Sequence, residues 1–201
     1  MKKSGKKPRK SGSSKLQAAE TAGGGKHSSA SGKKCGKSAA FHQTMPVETY
    51  FLRYAFPCTF IIRQRGRVSE HDFERLEKLA YSGKKPPRKL LENTYDRAFG
   101  RLKQVAKSMG RKSYWDYGVV REYFVNRHNS MIAEGDFYKA APKEIRDLCK
   151  TRRARIVDGR DGFLVVRYGK GKTRVVSSAF LTNPKIGDTV IIHYGYAIEK
   201  A

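Results

Sequence analysis

The sequence contains no run of about 18 apolar residues, the length that a membrane-spanning helix requires. Its first residues are basic but lack the apolar stretch of a secretory signal, so the chain reads as cytoplasmic with no membrane association. Only three cysteines are present, Cys35, Cys58 and Cys149, and none lies in a CxxC spacing. An odd number without paired spacing argues against a disulfide framework and for a reducing compartment, where a thiol is free to work as a thiol. Dinucleotide-binding, phosphate-loop, nucleophile-elbow and zinc-protease signatures are all missing, so the reading is a binding protein rather than an enzyme. Negative charge is scarce as well: 18 Asp and Glu stand against 43 Lys and Arg, a net charge of +25.

That imbalance runs the length of the chain. Residues 1–40 carry 11 basic and 1 acidic side chains, residues 41–147 carry 21 and 13, and residues 148–201 carry 11 and 4. A surplus in every segment suits a polyanionic partner such as RNA, because neutralised phosphates release counterions. Residues 1–40 are mostly Lys, Ser, Gly and Ala, with Leu16 their only large aliphatic residue after Met1. Such a stretch buries too little surface to offset the entropy of ordering it, and a disordered basic tail is expected there.

From Phe41 the composition changes, and residues 41–140 read as a helical domain of about four helices. Thr44 suits a cap, with Pro46 in the first turn and Val47, Tyr50, Phe51, Tyr54 and Ala55 at helical spacing. Pro57 interrupts this helix, and Cys58 beside it reads as packing. Ser69 and Asp72 have the spacing of a capping box for a second helix. Leu91, Tyr95, Ala98, Phe99, Leu102, Val105, Ala106 and Met109 paint one face of a third, with Gly110 at its left-handed end. Ser113 and Asp116 open a fourth that carries Trp115, Val119, Val120, Tyr123, Phe124, Met131 and Ile132, and Gly135 stops it. His128 and Asn129 near its end read as structural or solvent-facing groups.

After Pro142 the period shortens. Arg153–Val157, Phe163–Tyr168, Arg174–Ser177, Thr189–His193 and Tyr196–Glu199 are β-prone runs with glycine at the corners. Five short strands in about fifty residues suggest an OB-like barrel over residues 148–201, closed or covered so that its edges are protected. The fold class is therefore α+β: tail, helices, then barrel.

The barrel segment resembles the HypC/HupF/HybG-type maturation chaperones of nickel–iron hydrogenases. The resemblance rests on Cys149 followed by Ile156-Val157 and Asp158-Gly159, on Val165-Val166-Arg167-Tyr168-Gly169, and on Arg174-Val175-Val176-Ser177. It rests above all on Ile186-Gly187-Asp188-Thr189-Val190-Ile191-Ile192-His193-Tyr194-Gly195-Tyr196-Ala197-Ile198, which follows the family's VGD-x-V-L-V-H-x-G-[FY]-A-I pattern. What the resemblance implies is a small chaperone that transiently holds an iron group carrying cyanide and carbon monoxide. Its implied partners are an iron–sulfur protein of the HypD type and the hydrogenase large-subunit precursor. The family's essential cysteine falls on Cys149 and its motif histidine on His193. A thiolate is a soft ligand suited to low-valent iron, and an imidazole beside it can ligate or accept a proton. On this reading the Cys149 sulfur is accessible and within reach of the His193 ring.

A second reading uses the barrel as a scaffold for RNA or a ribosomal surface. Arg152, Arg153, Arg155, Arg167, Lys170, Lys172 and Arg174 would then form the nucleic-acid-binding patch, and Cys149 would be dispensable. Tyr114, Trp115, Tyr117, Tyr123 and Phe124 near Arg111, Lys112 and Arg121 could stack on bases, although Trp115 and Phe124 are more simply core residues.

Overall fold

In the first helix apolar side chains point in almost every direction, a pattern that suits a helix enclosed on all sides rather than one lying on a surface. In the computed structural model, which describes residues 45–134 and 141–201, this helix is α1, Val47–Gln64, and twelve of its 18 residues are buried. It runs straight through Pro57, where the sequence led us to expect an interruption. Packing on all sides outweighs the missing N–H and the crowding of the proline ring. The expected caps at Thr44 and Gly135, like the whole basic tail, lie outside the described residues.

The second helix follows its capping signal. The Ser69 hydroxyl accepts the Asp72 N–H at 3.1 Å, α2 spans Glu70–Ser82, and Gly83 ends it at a φ of 68°. The long amphipathic stretch is two helices, α3 at Arg88–Thr94 and α4 at Asp96–Ser108, broken at Tyr95. Tyr95 is buried with its hydroxyl 2.5 Å from that of Thr59, a tertiary contact that the face pattern does not encode. Asp116 caps α5, Tyr117–Arg121. The backbone then widens into a π-helical stretch, Glu122–Arg127, before α6, His128–Glu134. Such insertions are rare and concentrate at functional sites. A short α7, Lys143–Leu148, leads into the barrel.

The barrel is closed, as expected, with strand order β1-β2-β3-β5-β4. Its strands are β1 Arg152–Arg160, β2 Phe163–Tyr168, β3 Lys172–Ser177, β4 Thr189–His193 and β5 Tyr196–Lys200. β1 and β2 form a hairpin whose turn residues, Asp161 and Gly162, both have positive φ, the geometry that matches strand twist. All pairs are antiparallel except the short β3–β5 contact.

Strands β4 and β5 form the wall that barrel and helices share. Val190, Ile192 and Ala197 join the barrel's inner cluster, while Ile191, Ile198 and Tyr196 pack into the helical core. Period two thus turns His193 outward from the barrel toward α1. A bulge where β4 meets β5 re-aims Glu199 as well. Its carboxylate accepts the Tyr50 hydroxyl at 2.7 Å and Arg121 Nε at 2.9 Å, tying β5 to α1 and α5. Among the described residues no helix is long and apolar enough to cross a membrane.

Glu199→Ala leaves the Tyr50 hydroxyl and Arg121 without their acceptor. Hydrogen bonds to charged groups are worth about 1.5–3 kcal/mol, and denaturant unfolding of the variant is expected to show a loss of that size. A loss below about 0.5 kcal/mol, the scale of a surface substitution, would show that the network is not holding the wall to the helices.

Candidate functional site

Four chemically capable side chains converge where α1, α6, the end of α7 and the end of β4 meet. Cys58 projects from α1 and His128 is the first residue of α6. Cys149 is the C-cap of α7 and His193 the last residue of β4. Cys149 and His193 are fully buried, His128 is 5% exposed and Cys58 9%.

Backbone contacts set this geometry. Tyr194 adopts a φ of 54°, a left-handed conformation that a bulky residue takes only under constraint. Its N–H donates to the Leu148 carbonyl at 2.9 Å, and its own carbonyl accepts from Arg174 at 3.0 Å. The β4–β5 turn is thereby fastened to the residue before Cys149. From the other side Asn129 clamps Thr151, accepting its N–H at 2.9 Å and donating to its carbonyl at 2.8 Å. The Thr151 hydroxyl donates to the Phe124 carbonyl, in the π-helical stretch, at 2.7 Å. His193 Nδ1 donates to the Tyr54 carbonyl at 2.8 Å, in the turn of α1 that contains Pro57. That bond directs Nε2 toward the Cys58 sulfur, 3.6 Å away.

The two thiols differ in character. A side-chain hydrogen bond with Cys58, together with burial and the Cys58 charge, pushes Cys149 well above the ordinary thiol range. The same bond pulls Cys58 well below that range against the cost of burial, and His193 beside it helps. Burial alone would lower His193, but the Cys58 charge and hydrogen bonds to Cys58 and to the Tyr54 and Cys149 carbonyls raise it overall. Burial holds His128 below its usual value, as a neutral imidazole.

The expected pair does meet, but through a third residue and out of reach of solvent. Cys149 was expected to be accessible; instead it is sealed with Ile61, Ile132, Ile145 and Tyr194, because the helices cover this end of the barrel. Cys58 and His128, read from the sequence as packing and as a structural or solvent-facing group, line the same spot. Nothing in their local pattern marked them, since what matters is that two elements 70 positions apart turn toward one strand end. Asn129, read in the same way, is half-buried and serves as the Thr151 clamp.

The expected nucleic-acid patch is divided. Arg153, Arg155 and Arg167 lie exposed on the barrel's outer face, with Arg155 directly opposite Arg167, and Lys170 and Lys172 are exposed around the β2–β3 turn. Arg152 and Arg174 instead stack on Tyr168, 5.5 and 5.2 Å from its ring centre. Trp115 stacks on Phe99 at 5.0 Å with Arg88 over its ring, and Phe124 is buried, so neither offers a free face to a base.

Residues 149–201 match the HupF/HypC family, about a quarter of the chain and beginning at Cys149 itself. No curated protein matches the chain.

Thiolate character and access together set thiol reactivity. A small alkylating reagent applied to metal-free protein is expected to modify Cys58 before Cys149, as read by peptide mass mapping over time. Prior labelling of Cys149 would contradict both its complete burial and the opposite shifts of the two thiols.

Proposed function

We propose that the protein is a metallocentre-assembly chaperone of the hydrogenase-maturation type, a binding protein that handles an iron group through Cys149 and His193. By the family resemblance its partners are an iron–sulfur protein of the HypD kind and a hydrogenase large-subunit precursor, and its cargo is the iron group carrying cyanide and carbon monoxide. One observation carries the reading. Cys149 and His193, 44 positions apart, lie against the same sulfur, Cys58, at the end of a barrel whose sequence matches the family.

The burial of Cys149 then requires that transfer involve a local opening. α7 has no fully buried residue of its own, so lifting it exposes little apolar surface, and it ends at Cys149. Segments with few buried contacts open at the smallest free-energy cost. The cargo would be covered while held and uncovered when a partner displaces α7.

The exposed outer face of β1 and β2 favours a second reading as an RNA-associated protein. Arg155 and Arg167 face each other across the strands, and like charges so placed repel unless an anion lies between them.

Affinity purification of the wild type and of Cys149→Ser, with recovered proteins, iron and RNA all assayed, tests both readings. Loss of iron and of a maturation partner in Cys149→Ser is the expected outcome, and equal recovery from both chains would sink the chaperone reading. For the second reading, RNA recovered with either chain should decline steeply as salt rises, and the double variant Arg155→Ala/Arg167→Ala should flatten that dependence. A salt-independent yield would remove it.

A further inference from the structure

Two of the four clustered side chains lie outside residues 149–201, so nothing in the family match assigns them. We propose that Cys58, His128 and His193 bind one thiophilic first-row divalent ion as a three-ligand site, with Cys149 outside the coordination sphere. The proposal deepens the maturation reading, on which its biological use rests, whereas the site itself rests on geometry alone.

The Cys58 sulfur and one ring nitrogen of each histidine all lie within 4.8 Å of one another. The 3.6 Å between Cys58 Sγ and His193 Nε2 is already the right separation. With bonds of about 2.3 Å to sulfur and about 2.0 Å to nitrogen, two donors around a tetrahedral ion stand about 3.5 Å apart. His193 has the outer partner that ligating imidazoles use, its Nδ1–H donating to the Tyr54 carbonyl and so directing Nε2 inward. His128 supplies an independent sign: its Nε2 is buried with no hydrogen-bond partner, and its ring stands edge-on to that of His193 with centres 5.1 Å apart. A buried polar atom without a partner is destabilising, and a bound ion would supply that partner. One thiolate and two neutral imidazoles suit zinc, ferrous iron or cobalt over hard cations.

An ion needs a way in, and three protein ligands leave a coordination position unfilled. A cavity of about 80 Å³ reaches from exposed Asp96 and Arg97, past Arg101, to Cys58 and His128. Neither α7 nor Cys149 lines it, so this is a route by which an ion and a small exogenous ligand reach the cluster without unsealing Cys149. Arg97 and Arg101 on its walls favour an anionic ligand.

Anaerobic titration of the full-length metal-free chain with Co²⁺ tests the site. The expected result is one ion per chain, with a thiolate-to-cobalt charge-transfer band and the intense visible bands of four-coordinate cobalt. Cobalt should also slow alkylation of wild-type Cys58 at least about 10-fold, a readout that needs no variant and follows from coordination of the thiolate. Cys58→Ser should lose the charge-transfer band, and His128→Gln should weaken binding at least about 100-fold, beyond what loss of an outer partner costs. Near-ultraviolet circular dichroism establishes that each variant is folded. Cys149→Ser should keep the band and the stoichiometry, because Cys149 is not one of the three ligands. A band that vanishes with Cys149→Ser but survives Cys58→Ser would overturn the assignment, as would a wild type that binds no cobalt or leaves Cys58 unprotected. Absence of cobalt binding alongside Cys149-dependent iron recovery from cells would remove this site and leave the chaperone reading in place. Cobalt binding without any recovered iron or partner would do the reverse.

Discussion

Everything in this molecule depends on α1 being enclosed between the barrel wall and the other helices. A helix enclosed along most of its length has little solvent face on which to put polar groups, so most polar groups near it find partners within the protein. Tyr50 finds Glu199 and Thr59 finds Tyr95. The Tyr54 carbonyl finds His193, and Cys58 finds His193 and Cys149. In every case but one the partner comes from the barrel or its entrance, so the interface that packs the helices against the barrel also assembles the polar cluster. The single ring of contacts explains why residues from three distant parts of the chain share one site.

The barrel was legible in the sequence because its signals are local. Alternation fixes which face each strand residue takes, and glycine with aspartate marks the corners at residues 161–162 and 187–188; Asp158-Gly159, which reads as a corner, instead continues β1 past a bulge, and the five strands otherwise lie where these signals place them. The helix start at Ser69 was legible for the same reason, whereas the start expected at Ser113 falls three residues later, because Asp116 itself is the cap and Trp115 precedes the helix. Less was legible where tertiary contacts override local preference. Pro57 reads as a break because propensity is computed for a helix in water, not for one held on all sides. Tyr95 reads as one more member of an apolar face, yet its buried hydroxyl contact interrupts that face. The π-helical stretch has no sequence signature comparable to a cap, and it sets the place of His128.

Legibility of the site followed the same division. Cys149 and His193 stood out through a family pattern, and their meeting is what the barrel closure delivers. Cys58 and His128 did not, because a cysteine after proline and a histidine in mid-helix are ordinary packing choices one at a time. Their significance lies in the relation between α1 and α6, which only packing reveals. The splitting of the basic set has a similar origin: Arg152 and Arg174 occupy inward-facing positions of β1 and β3 and are used up on Tyr168, whereas Arg153, Arg155 and Arg167 occupy outward ones.

Energetics give a reason to read the cluster as more than packing. Four polar side chains buried against Ile61, Ile132 and the aromatic rings of Tyr123 and Phe124 are a costly way to fill space. Apolar residues of like volume would carry no desolvation cost, and replacing buried polar or charged groups in that way is often neutral or stabilising. The cost here is only partly recovered: Cys58 and His193 satisfy each other, Cys149 satisfies Cys58, and His128 Nε2 is left without a partner. A strained Tyr194 adds to it, since a left-handed non-glycine residue costs about 1–2 kcal/mol. Strain at Tyr194 and an unpartnered nitrogen on His128 coincide at one spot with a set of donor atoms that one ion could join, and such coincidence is a physical mark of a site shaped for a ligand.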